Sequence, residues 1–115
     1  MDDLQKALAR REALQTTFEF VIITGRLLVA SRDSHAQLAG YLERSALITL
    51  RFVVDSTDRV ASAKGQQRII RALMSAQHAE EHLRELKEDP RLRVLAGASL
   101  EALERAMASL RREVL

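Results

Sequence analysis

A single proline, Pro90, and four glycines interrupt a chain of 115 residues that is otherwise rich in Ala, Leu, Glu and Arg. Proline costs a helix interior about 3 kcal/mol and glycine about 1 kcal/mol relative to alanine. A chain with so few of either keeps long helices and turns at only a few places. We therefore read it as all-α. At this length it forms one domain spanning 1–115, which buries roughly two-thirds of its unfolded surface. Cysteine is absent, which excludes a disulfide scaffold, a thiol nucleophile and Cys-ligated zinc.

Apolar spacing divides the chain into helices. The first runs from about Asp3 to Ser31, with Leu4, Ala7, Arg11, Leu14, Phe18, Val21, Gly25 and Leu28 as its seam. These residues follow the alternating three- and four-residue steps of a bundle helix. Gly25 on that seam predicts close helix approach. Ser31 to Ser34 form a polar turn, with Asp33 or Ser34 capping a second helix from about His35 to Ser62. The expected second seam is Leu38, Leu42, Ala46, Thr49, Val53, Ser56 and Val60. After a turn at Ala63 to Gly65, a third helix covers about Gln66 to Glu88. It buries Ile69, Leu73, Ala76, Leu83 and Leu86, with Ala72, Ala76 and Ala79 as a slim packing face. Asp89-Pro90 reads as N-cap and first helical position. Arg91 to Ala96 read as a short helical turn ended by Gly97, before a fourth helix capped by Ser99. Leu100, Leu103, Met107, Leu110 and Val114 form the stripe of that last helix. Short connections make this an up-down-up-down four-helix bundle with a short helical turn between helices 3 and 4.

Phe18 to Ala30 and Ala46 to Val54 carry apolar residues on more than one helical face. An outer helix of a small monomer needs only one. The surplus predicts association through Phe20, Ile23, Leu27, Leu47, Phe52 and Val54, on the hairpin of helices 1 and 2. The partner is a second copy or another protein. Charges recur every seven residues on the same hairpin: Glu12, Glu19, Arg26 and Asp33, then Arg44, Arg51 and Asp58. An antiparallel arrangement brings Glu19 near the level of Arg44 to Arg51; pairing and solvation both remain open. The Phe18 to Ala30 run is too short for a bilayer and contains Glu19 and Arg26. With an acidic N-terminus, the expectation is a cytoplasmic protein without a membrane partner.

The formal net charge is +2, too mild alone to argue for nucleic acid. The distribution says more. Lys64, Arg68, Arg71, Ser75, His78 and His82 fall within about a quarter-turn of helix 3, a row roughly 27 Å long. Such a row can follow an RNA or DNA phosphate backbone. It is equally the polar side of an amphipathic helix. Phe18, Phe20 and Phe52 read as buried, which leaves little for base stacking.

Two motifs admit catalytic readings. His78, Glu81 and His82 form H-x-x-E-H, a pattern of inverted zinc peptidases, but no third ligand follows at an obvious spacing. Arg71 and His78 have the spacing of the R-x(4–6)-H motif in helical ribonucleases of the HEPN class, although Ala72 replaces the usual polar residue. Glu80 lies near the core side of helix 3 and calls for an arginine or amide partner. No Gly-rich phosphate loop is present, and no metal or cofactor is expected.

The stretch from Leu42-Glu43-Arg44-Ser45-Ala46 through Gln77-His78-Ala79-Glu80 resembles the S23-type four-helix-bundle family, proteins encoded within intervening sequences of 23S ribosomal RNA genes. Ala76 and Glu80 match its small residue and inward glutamate. The family's Asn-Ile-Ala-Glu-Gly segment and the Phe-Pro ending of its first helix are missing here. The resemblance implies a homo-oligomer, often a pentamer, whose relatives include a nucleic-acid-binding retroelement accessory protein. The expected function is a non-enzymatic, homo-oligomeric bundle that binds nucleic acid or scaffolds an enzyme acting on it. A HEPN-like ribonuclease and a protein–protein adaptor are the alternatives.

Overall fold

The computed structural model describes residues 2–59 and 62–114. It comprises helices α1 (Asp3–Ser31), α2 (Ala36–Ser56), α3 (Ala63–Lys87) and α4 (Arg93–Val114), with a 3₁₀ turn at Thr57–Arg59 after α2. Each helix packs against its chain neighbours, and α1 against α4 closes the ring. The bundle measures 47 × 20 × 19 Å, a long axis set by α1 itself at about 1.5 Å per residue.

Local chemistry explains the helix ends. Asp2 and Gln5 form a capping box: the Asp2 carboxylate accepts from the Gln5 backbone N–H at 2.8 Å, and the Gln5 side chain accepts from the Asp2 N–H at 3.1 Å. Ser62 caps α3 by accepting from the Gly65 N–H at 3.1 Å. Gly65 is therefore buried within the first turn of α3 and not part of the preceding loop. Neither Asp33 nor Ser34 caps α2; His35 holds that place without a side-chain cap. Val60, expected on the second seam, lies outside the described residues.

The buried residues of α1 form a row one position back from the predicted seam. Arg10, Ala13, Thr17, Phe20, Thr24, Leu27 and Ser31 face inward, where Arg11, Leu14, Phe18, Val21, Gly25 and Leu28 were expected. One residue is a rotation of about 100°. Hydroxyls make the polar members compatible with burial. Thr17 donates to the Ala13 carbonyl and Ser31 to the Leu27 carbonyl, each at 2.7 Å, and Thr24 bonds Ser99 of α4. Phe18 is consequently exposed, and a Cβ at Gly25 would meet nothing within 4 Å. Gly25 does not mark a close approach.

That rotation also corrects the expected association surface. Phe20 and Leu27 are fully buried within the chain, in the main core with Leu42, Leu83, Leu103 and Met107. They are core residues because the inward row needs their volume between the Thr and Ser positions. Ile23 and Phe52 are half-buried, while Leu47 and Val54 remain exposed.

The inner faces of α2 and α3 follow expectation more closely, although α2 ends at Ser56 and gives way to the 3₁₀ turn short of the expected Ser62. Ala39, Leu42, Ala46, Thr49, Val53 and Ser56 line the inside of α2, and Ala72, Ala76 and Ala79 have no exposed surface on α3. Leu38 and Leu73 are only half-buried. The largest local revision is α4. The short helical turn ended by Gly97 does not form, because no glycine among the described residues adopts positive φ and the Leu92 carbonyl accepts from the Ala96 N–H at 2.8 Å. The helix runs unbroken from Arg93, and Ser99 is a buried residue inside it. Asp89 still closes the turn, accepting from the Arg91 backbone N–H at 3.0 Å.

Among the described residues, α1 is the one helix long and apolar enough to cross a membrane by length and composition. Seven of its residues are buried in the bundle, while Phe18, Ile22 and Val29 stay exposed.

Candidate nucleic-acid interface

The polar row of α3 lies on the flank that meets α2. Tyr41 of α2 faces His82 with ring centroids 5.8 Å apart, which fixes one end of the register. Further along, Phe52 of α2 shares a groove of about 320 Å³ with Arg71, Met74, Ser75 and His78. Lys64, Gln67, Arg68 and Arg71 line a second groove of about 290 Å³ toward the start of α3. The row therefore borders two grooves, one walled by Phe52 of α2 and one lined by α3 residues alone, together the α3 furrow. The small residues on the inner face of α3 allow α2 to approach closely enough to form the wall of the first.

Exposure differs along the row. Lys64, Arg71 and His78 are exposed, whereas Arg68, Ser75 and His82 are half-buried. Among the described residues, no carboxylate pairs with Lys64, Arg68 or Arg71. Asp55 and Asp58 stand near Arg68 across a third groove, yet neither closes an ion pair with it. The far end is more balanced: His78 Nδ1 is 4.0 Å from Glu81, and Glu80 is 3.6 Å from Arg84 one turn on. Glu80 is thus the half-buried carboxylate with an arginine partner that its position required. Lys64, Arg68 and Arg71 are thus the cations of this row without a carboxylate ion pair among the described residues.

The two histidines of H-x-x-E-H separate. His82 turns onto Tyr41, while His78 stands in solvent beside Glu81. Among the described residues, no three His, Asp or Glu side chains converge as metal ligands. Arg71 and His78, by contrast, do line the same groove. Stacking surface is scarce on the row itself: Tyr41 is partly exposed but engaged with His82, and exposed Phe18 lies on α1.

Two polar clusters escaped the sequence reading, one at each end of the bundle. Arg10 is 2% exposed; its Nε donates to both carboxylate oxygens of Glu113 at 2.8 Å, and its Nη1 donates to the Ser56 carbonyl at 2.6 Å. One guanidinium thereby joins α1, α2 and α4. Burial pushes the Glu113 carboxyl above its ordinary value, against the opposing pull of Arg10. The available signal was a seven-residue row, Arg10, Thr17, Thr24 and Ser31, with polar atoms at every step.

At the opposite end, Asp89 holds the α3–α4 turn to the start of α2. Its carboxylate accepts from the Arg91 guanidinium at 3.2 Å and lies 3.0 Å from the His35 ring nitrogen. The Arg91 side chain first, and His35 next, hold Asp89 well below the usual carboxylate range. These contacts shape the scaffold but leave the furrow open. The chain matches no protein-family model, no curated protein and no solved structure.

Proposed function

We propose that this protein is a non-enzymatic helical scaffold that holds the phosphate backbone of RNA or DNA along the α3 row. The observation that carries this reading is the run Lys64, Arg68 and Arg71, three cations on one furrow without a carboxylate partner among the described residues. Cations held on a rigid helix and left unpaired are suited to phosphate, where they release condensed counterions on binding. Scarce stacking surface makes the contact one of backbone and shape, with little sequence preference.

Fluorescence anisotropy with labelled RNA and DNA at two salt concentrations tests it. Binding weakens as salt rises, and Arg68→Ala or Arg71→Ala each lowers the salt slope by about one. No binding at low salt removes the proposal.

A second reading draws on Arg71 and His78 lining one groove: a HEPN-like ribonuclease acting on RNA. It requires cleavage by the purified protein that either Arg71→Ala or His78→Ala abolishes. Binding without cleavage favours the scaffold.

A further inference from the structure

Rotation of α1 leaves a second row on its outer side. Leu4, Leu8, Phe18, Ile22, Gly25 and Val29 share it, and the large residues among them are 49 to 71% exposed. From Phe18 to Val29 the steps are four, three and four residues, the repeat that keeps a row facing one partner helix, and Arg11 and Gln15 hold the intervening positions back to Leu8. Gly25 sits on this row with open space where its Cβ would be. Gly40 and Gly97 have the same open space, so what distinguishes Gly25 is its place on this apolar row. Opposite a partner's side chain, the same position is a notch.

We propose that the occupant of this face is α1 of a second copy, running antiparallel and related by a two-fold axis near Ile23 and Thr24. That register sets Phe18 against Val29 of the partner subunit and Ile22 against Gly25 of the partner subunit. Two-fold symmetry makes each contact twice. Glu19 and Arg26, exposed beside the row, then face one another across the interface in both directions.

Other pairings meet physical objections. A parallel, in-register pair stacks Arg11 on its own counterpart and leaves two glycines facing across a void. Sliding the antiparallel pair by a heptad toward the N-terminus drives Arg11 into an apolar layer against Val29 and brings Glu19 beside its own symmetry mate. The chosen register keeps Arg11 and Gln15 outside the apolar layers. This surface is distinct from the α3 furrow, so the proposal stands apart from the nucleic-acid reading.

Sedimentation equilibrium over a range of protein concentrations, without nucleic acid, reads the assembly. A monomer–dimer equilibrium is expected. Glu19→Arg and Arg26→Glu should each weaken it by about tenfold, and the double swap should restore it. Because the chain contains no cysteine, Phe18→Cys and Val29→Cys can be introduced separately. Mixing the two variants under mild oxidation should give far more cross-linked dimer than either alone. All four positions lie on exposed helix surface, and circular dichroism checks that each variant remains folded. A monomer at every concentration overturns the proposal. So does an odd-numbered assembly, which a two-fold contact cannot build alone, or a double swap no better than the single changes. Partition of a monomer onto neutral phosphatidylcholine vesicles also overturns it, by making the outer row a lipid contact.

Discussion

α1 and α3 are both long helices whose buried residues recur every three and four positions, yet their inner rows are made of different material. α3 turns Gly65, Ile69, Ala72, Ala76, Ala79, Leu83 and Leu86 inward, a pattern of small and branched apolar residues. α1 turns in Arg10, Thr17, Thr24 and Ser31 beside Ala13, Phe20 and Leu27, and leaves Phe18, Ile22 and Val29 outside. Hydropathy alone would invert that choice. A hydroxyl that bonds its own helix carbonyl removes most of the burial cost of a Thr or Ser, and its small size lets neighbouring helices approach. Large apolar side chains at those positions would separate α1 from α2 and α4.

The severest way to break the comparison is at Arg10. Arg10→Ala leaves Glu113 buried without its guanidinium and should cost about 3–5 kcal/mol in urea unfolding. Arg10→Met combined with Glu113→Leu should recover most of that loss, since replacing a buried pair by apolar residues is often neutral or stabilising. Arg10→Met alone refills the volume but keeps the carboxylate, so recovery that appears only once Glu113→Leu is added assigns the cost to the stranded charge.

Phe18 and Phe20 give a direct test of which α1 face is inside. Phe20→Ala should cost about 3–5 kcal/mol, whereas Phe18→Ala should stay within about 0.5 kcal/mol in monomeric protein. Equal losses would put both faces in the core. On α3, Ala76→Leu adds volume where no exposed surface remains and should cost about 1–3 kcal/mol by overpacking.

Gly97 tests the continuity of α4. A Cβ there meets nothing within 4 Å, so Gly97→Ala should stabilise the protein by about 0.5–1 kcal/mol through helix propensity. A loss would mean that the helix breaks there after all. The smallest effect concerns Asp89. Its depressed pKa means that it contributes stability above the ordinary carboxylate value, and that this contribution disappears as pH falls below about 4. Asp89→Asn should therefore lower the melting temperature slightly at neutral pH and change it little in strong acid, which flattens the acid limb.

Much of the scaffold was legible from local chemistry. The bounds of α1, the inward Leu42, Ala46 and Val53 of α2 and the alanine face of α3 follow from capping residues and apolar spacing. The cations of α3 were also legible as a row, because helical geometry alone puts Lys64, Arg68 and Arg71 on one side. Their lack of carboxylate partners was not legible: it depends on where α2 places Asp55 and Asp58, and neither reaches Arg68. The merger of two expected helical pieces into α4 was missed because Gly97 resembles a stop signal. Its environment, open and helical, made it an ordinary helix residue.

Sequence by itself determined that this protein is four helices and roughly where the first three begin, since propensity, caps and turn residues act within a few positions. Tertiary structure decided which way α1 faces. Two rows compete on that helix, and local hydropathy favours the one that ends up outside. The choice rests on contacts that exist only when the helices meet: Arg10 with Glu113 and the Ser56 carbonyl, Thr24 with Ser99, and Phe20 and Leu27 in the main core.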